Sequence, residues 1–379
     1  AFESFGNSRF ISIGGWINAT IPILIVPYYS VIGGWVIKYL IEYFAGHSKT
    51  LAGDAYFTTF ISNGWSTEIC FIIFTLFTLG IIYAGVRNGI ERVSKFMMPI
   101  LIVLSLIIAV YSVTRPGAIE GVKYFLVPNF DHFSWMTVVS AMGQMFYSLS
   151  IAMGILITFG SYMKKDTSIE KSTENVEIFD TAIAIMAGLM IIPAVFAFSG
   201  GNAETLKSGP ALMFITIPKV FANMGFGTAI GVVFFLLVLF AAVTSSIALT
   251  ESAVSTFEDE LHWSRKKSTV FMGMVMLLLG TLSCLGYGPL ANFKILGMQF
   301  LDFFDFITNS VMMPIAAIAT CLLVSKVVGV DKIEEEIKKD GQAFRRKKIF
   351  CFMIKYLCPL FAAIILISSV ANAFGIITM

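Results

Sequence analysis

Nine predominantly apolar stretches, each about 20 residues or longer, run the length of this chain of 379 residues, and they leave few options for its fold. An α-helix needs about 20 apolar residues to cross a hydrocarbon core of about 30 Å. The approximate spans are 12–44, 66–85, 95–113, 137–163, 177–198, 228–256, 268–286, 297–325 and 349–376. In lipid, backbone amides and carbonyls must be paired within helices or a closed barrel. The alternating ten-residue pattern of barrel strands is absent, so the chain is expected to be an all-α membrane protein of about nine transmembrane helices. Composition agrees. The sequence is 57% hydrophobic and 13% charged, against about 25% charged in a soluble domain. That excludes a single water-soluble globule and a disordered chain. The lipid bilayer is the expected partner. A net charge of +2 offers no basic excess for nucleic acid.

Orientation follows from Lys and Arg in the loops. The loops after 85, 163, 256 and 325 together hold seventeen basic residues, and the alternate loops hold six, Lys207 among them. The first set is therefore expected to face the cytoplasm, with span 12–44 running outward. Residues 199–227 form a long outer connection with its own apolar helical pattern, ALMFITIPKVFANM. It reads either as an external lid or as a surface helix packed on the bundle. The inner loop 326–348 reads as a solvated charged helix.

Enzyme chemistry has no foothold. The five cysteines form no CxxC pair and the three histidines lie far apart. No HExxH, Walker A or GxSxG pattern occurs. The informative residues are polar ones inside apolar spans, which are costly there and face the bundle interior. Asp180, Glu251, Asp302 and Asp305 are such residues. In AAVTSSIALT, Ala241, Thr244, Ser245 and Leu249 share one helical face. Hydroxyls beside a small residue suit a hard cation such as sodium, by the oxygen preference that governs calcium and magnesium. Close helix packing, or hydroxyls bonded back to their own helix, is the alternative. In GQMFYSLSIAMG, Ser148, Ser150, Ala152 and Gly154 interrupt a span near its middle. Small residues there suit a broken helix that frees carbonyls and amides for ions and substrate; a continuous, closely packed helix is the alternative. Tyr28 and Tyr29 follow Pro27 near mid-span, and a tyrosine hydroxyl there needs a partner.

Together these segments resemble the neurotransmitter:sodium symporter family, the LeuT-like transporters. GQMFYSLSIAMG with SYMKKD is similar to that family's unwound sixth span. FAAVTSSIALTESAVSTFEDELHWSRKK is similar to its eighth span and following loop. IPILIVPYYSVIGGWVIKYL, GVRNGIERVSKFMMPIL and LDFFDFITNSVMMP are similar to the third span, the approach to the fifth, and the tenth. The likeness covers essentially the whole chain in order. It implies an inverted-repeat helical bundle whose nine spans are the family's third to eleventh, with the first two expected outside this sequence.

The resemblance also implies roles. The Ala241 carbonyl with the Thr244 and Ser245 hydroxyls would hold one sodium ion. Ser148 would help hold a second, with Asp180 near the seventh span's sodium and chloride positions. Tyr29 would bind the substrate carboxylate, and Ile25, Tyr147, Ser150, Met153, Ser245 and Leu249 would wall its side chain. Asp305 with Gln144 would serve the outer gate, and Asp259 with Tyr162 the inner one. The expected function is sodium-coupled symport of a neutral, hydrophobic or aromatic, amino acid. Two sodium ions would couple it, with no organic cofactor and no chloride requirement, Asp180 supplying the negative charge. A non-transporting membrane sensor or partner subunit with a degenerate site is the alternative.

Overall fold

The computed structural model describes residues 2–5, 9–202, 205–206, 209–339 and 343–376; Ala1 and Lys207 lie outside them. Thirteen of the helical elements among the described residues organise the chain. They are α1 (Arg9–Phe44), α2 (Gly64–Tyr83), α3 (Arg92–Val113) and α4 (Ala118–Leu126). There follow α5 (Trp135–Ser148), α6 (Ile155–Ser161), α7 (Ile169–Ser199), α8 (Gly209–Ala222) and α9 (Gly227–Leu261). The last are α10 (Arg265–Leu285), α11 (Phe300–Val328), α12 (Val330–Lys338) and α13 (Lys347–Ala373). No strand occurs among the described residues. Eight of these helices are long and apolar enough to cross a membrane. The ninth expected span, 137–163, is divided into α5 and α6. Several helices outrun the spans read from apolarity. For example, α7 starts at Ile169 because Ser168 accepts the Lys171 amide at 3.2 Å, a cap built from polar residues that hydropathy cannot register.

α1 is the spine. A helix apolar on all sides is a buried one, and Ile21, Ile25, Val31, Trp35 and Tyr39 are all enclosed. It carries Pro22 and Pro27 without ending; neighbouring helices in a membrane bundle tolerate such breaks in the ladder. α9 packs on α1 more extensively than any other helix pair, and α2 and α10 complete that half of the bundle. Gly34 sets the α1–α2 spacing. A Cβ there would lie 2.6 Å from the Phe71 nitrogen, so the two backbones meet where only glycine fits. On the outside of α10, Val270, Met274 and Leu278 repeat at every fourth residue and stay exposed, as a lipid-facing stripe must.

The loops gather at two ends. At one, Arg265 reaches the carbonyl of Ile82 at 3.0 Å, and Arg346 reaches Glu174 and Glu177 at 3.3 and 3.5 Å. This is the end rich in Lys and Arg, called the basic end below. At the other, Thr228 donates to Ser48 at 2.8 Å and Lys219 pairs with Asp54. There α8 is moored by aromatic packing. Phe214 stacks on Phe57 at 5.2 Å and stands edge-on to Trp35, and Tyr39 donates to its carbonyl at 2.8 Å.

Candidate ion and substrate site

The span 137–163 breaks where its small residues fall. Ser134 caps α5 by accepting the Thr137 amide at 3.3 Å, and the helix runs to Ser148. Ser150, Ala152 and Gly154 then take left-handed backbone, with φ of 53°, 60° and 73°, before α6 begins at Ile155. Non-glycine residues rarely adopt that conformation. A continuous helix would hold its amides and carbonyls in its own ladder; the break interrupts that ladder between Ser148 and Ile155.

Several of the residues singled out in sequence lie close to one another. The Tyr29 hydroxyl lies near Ser245, between α1 and α9. Tyr147 lies close enough to Tyr29 and Asp305 to interact with both. Ile25, Met153 and Leu249 are buried, and Ser245 and Tyr147 are accessible. Ile25 and Tyr29 are one turn apart on α1, and Ser245 and Leu249 are one turn apart on α9. Ser148 donates to the Asp180 carboxylate at 2.6 Å, a contact between α5 and α7 across 32 residues of sequence. Thr244 donates to the carbonyls of Phe240 and Ala241, each at 3.0 Å. Its proton is thus committed along its own helix, as the packing alternative expects, while its lone pairs stay available as acceptors.

The Asp305 end is more elaborate than the sequence suggested. Its Oδ1 accepts from Asn309 at 2.6 Å and from Tyr28 at 3.2 Å, and Tyr28 also meets the Thr308 hydroxyl at 3.3 Å. Tyr28 thereby finds the partner a buried phenol requires. Asp302 accepts from Tyr287 at 2.9 Å. Gln144 is exposed on α5.

Toward the basic end, Tyr162 does not bond to Asp259. Its hydroxyl donates to Glu251 at 2.7 Å. Glu251 is fully buried and takes both arms of Arg265, at 3.0 and 2.5 Å. Arg265 also approaches Glu258 at 3.5 Å. Glu251 stands out in sequence as an intramembrane carboxylate, but nothing there names Arg265 as its partner. The α9–α10 hairpin, turned by His262 at φ 51°, brings together residues 14 positions apart. Asn309 was legible in principle, since it lies one turn beyond Asp305. Asp259 instead lines a cavity of about 420 Å³ together with Tyr162. No group of three or more metal-binding His, Cys, Asp or Glu residues occurs among the described residues.

Comparison with known proteins decides the family. A profile of the sodium:neurotransmitter symporter family matches residues 56–376. The chain belongs to that family. An uncharacterised sodium-dependent transporter of Bacillus subtilis, YhdH, is 32% identical over 367 residues, covering 96% of this chain and 80% of the relative. One from Haemophilus influenzae is 29% identical, with 96% and 80% covered. The crystal structure of MhsT in complex with L-phenylalanine superposes with a TM-score of 0.84 at 31% identity, over 97% of this chain and 83% of that one. The LeuT-like fold, the multi-pass membrane character and the sodium-coupled transporter class expected from the sequence all stand, and the family is one of transporters rather than enzymes.

Proposed function

We infer that this symporter carries a neutral amino acid with a hydrophobic or aromatic side chain. The observation that carries this reading is the uncharged character of the residues that the family resemblance assigns to the side-chain pocket. Ile25, Met153 and Leu249 are buried and apolar, and the polar groups with them, Tyr147, Ser150 and Ser245, are uncharged. A charged side chain there would lose its hydration without gaining a counter-charge. The similarity to MhsT, solved with L-phenylalanine, supports the same class. Tyr29 holds the substrate carboxylate. One sodium ion sits at the Ala241 carbonyl with Thr244 and Ser245. A second sits at Ser148, where the adjoining Asp180 carboxylate supplies the fixed negative charge and makes chloride unnecessary. Asp305, with Gln144 nearby, closes the outer side, and Asp259 and Tyr162 the inner one. The loops after 85, 163, 256 and 325 face the cytoplasm, and residues 199–227 form an external lid moored at α8. Sodium entry drives the cycle, at about 2.3 kcal/mol per charge for 100 mV, by rocking of α5, α6 and α7 against α1, α2, α9 and α10.

Uptake of labelled amino acids into proteoliposomes tests this, with a panel spanning aliphatic, aromatic, acidic and basic side chains. Saturable uptake confined to apolar side chains and lost when potassium replaces sodium is expected. Preference for a charged amino acid would sink the substrate reading.

A further inference from the structure

On the lipid-facing side of α10, a recess of about 420 Å³ opens at the basic end. It shares no lining residue with the cavity that holds Asp259 and Tyr162. Trp263 and Phe271 wall it, edge to face with ring centroids 5.3 Å apart. Lys266, Lys267, Val270 and Met274 also line it, and no carboxylate does among the described residues. Lys266, Val270, Met274 and Leu278 follow one another at every fourth residue, so they share one helical face, and all four are exposed. From Val270 to Leu278 that face runs apolar for about 12 Å, at 1.5 Å per residue. A cation at the membrane boundary is thus followed by a strip that only hydrocarbon covers well.

The charges of the two lysines are not spent within the protein. Their neighbour Arg265 is committed to Glu251 and Glu258. Lys266 and Lys267 form no ion pair among the described residues. They lie over aromatic rings instead. Lys267 Nζ is 4.0 Å from the Trp263 ring centroid, and Lys266 Nζ is 5.7 Å from that of Tyr83, the last residue of α2. A ring face attracts an ammonium without neutralising it. Snorkelling accounts for a single lysine that stretches toward water. It does not account for two ammonium groups held over rings at the mouth of a walled apolar recess.

We propose that this recess binds an anionic phospholipid from the leaflet at the basic end. The phosphodiester sits between Lys266 and Lys267, as headgroups do in basic pockets between transmembrane helices. Trp263 lies at headgroup level, where indole rings are favoured. An acyl chain runs along Val270, Met274 and Leu278. The lysines select for negative charge, and the apolar strip selects for a chain, so the ligand must carry both. A zwitterionic headgroup brings its own cation against the lysines and is disfavoured. Tyr83 brings α2 to the same place, so the lipid braces the α2–α10 seam on its outer side.

Native mass spectrometry of the detergent-purified protein tests this, with phosphatidylglycerol and phosphatidylcholine of identical acyl chains. Phosphatidylglycerol is expected to bind more tightly by about tenfold or more. Lys266→Gln/Lys267→Gln should weaken its binding by about tenfold to thirtyfold, the worth of two lysines at a bilayer surface, and leave phosphatidylcholine within about twofold. Lys338→Gln/Lys339→Gln at the end of α12 removes the same charge elsewhere and should change neither lipid by more than about twofold. Glycerol phosphate, a headgroup without chains, should not displace the bound lipid. Three results would each overturn the proposal. Equal affinity for the two lipids would remove the charge selection. Equal weakening in the two double variants, or none in the first, would leave only diffuse surface charge. Displacement by glycerol phosphate would make the recess a site for free phosphate instead.

Discussion

Arg265→Met is the sharpest probe of how the basic end is held. The arginine donates both arms to a carboxylate that has no solvent exposure, and its Nε adds the 3.0 Å bond to Ile82. Methionine keeps much of the length and apolar bulk of the stem but removes all three donors. Glu251 is then left with the Tyr162 hydroxyl alone, a 2.7 Å contact that cannot neutralise it. Breaking one half of a buried pair costs about 3–5 kcal/mol, chiefly because the remaining charge stays buried. Replacing both halves by apolar residues of similar volume is often neutral or better. The double variant Glu251→Met/Arg265→Met should therefore recover most of the loss. The residual cost is about 1 kcal/mol for the Tyr162 and Ile82 groups left to find other partners. Denaturant unfolding of the detergent-solubilised protein, run as a double-mutant cycle, measures both numbers. A loss below about 1 kcal/mol for Arg265→Met, the range of an exposed pair, would refute the buried-pair reasoning. So would a double variant no more stable than the single.

Three further outcomes are expected. Gly34→Ala forces the α1 and α2 backbones apart, since its Cβ would stand 2.6 Å from the Phe71 nitrogen; overpacking of this kind costs about 1–3 kcal/mol, read as a lower unfolding midpoint. Gly154→Ala places a side chain at φ 73° and against Ser252. It should cost at least the left-handed penalty of about 1–2 kcal/mol, and full wild-type stability would show that the break does not hold this geometry. Asp180→Asn removes the carboxylate that accepts from Ser148. Uptake by that variant should fall sharply in chloride-free buffer and recover when chloride is restored; unchanged chloride-free uptake would defeat the assignment of charge to Asp180.

Much of this was legible in the sequence because lipid imposes a simple rule. Apolar runs of a fixed minimum length marked the helices, and the small residues at 148–154 marked the break. What hydropathy could not show were helix ends, where Ser168 and Ser134 cap helices outside the apolar runs. Nor could it name partners. Glu251 was visible as a charge in the wrong solvent, but its partner Arg265 looked like one basic loop residue among many. The mooring of α8 was likewise hidden. Phe214 reads as a generic apolar residue until Trp35, Tyr39 and Phe57 are seen around it. Periodicity assigns a face within one helix, whereas contacts between helices depend on packing that no local pattern encodes.

Of the three left-handed residues at the break, only Gly154 is a glycine. Ser150 and Ala152 each sit about 1–2 kcal/mol above the right-handed form they would choose alone. That energy is held in place by the surroundings, through the closeness of Gly154 to Ser252 and Asn18. The loop therefore behaves like a compressed spring between α1 and α9, not like a floppy joint. Its response to damage should run opposite to that of the rest of the molecule. Changes that slacken the α1–α9 contact should let residues 149–154 wind up, so that a less stable protein gains helical backbone at this one place.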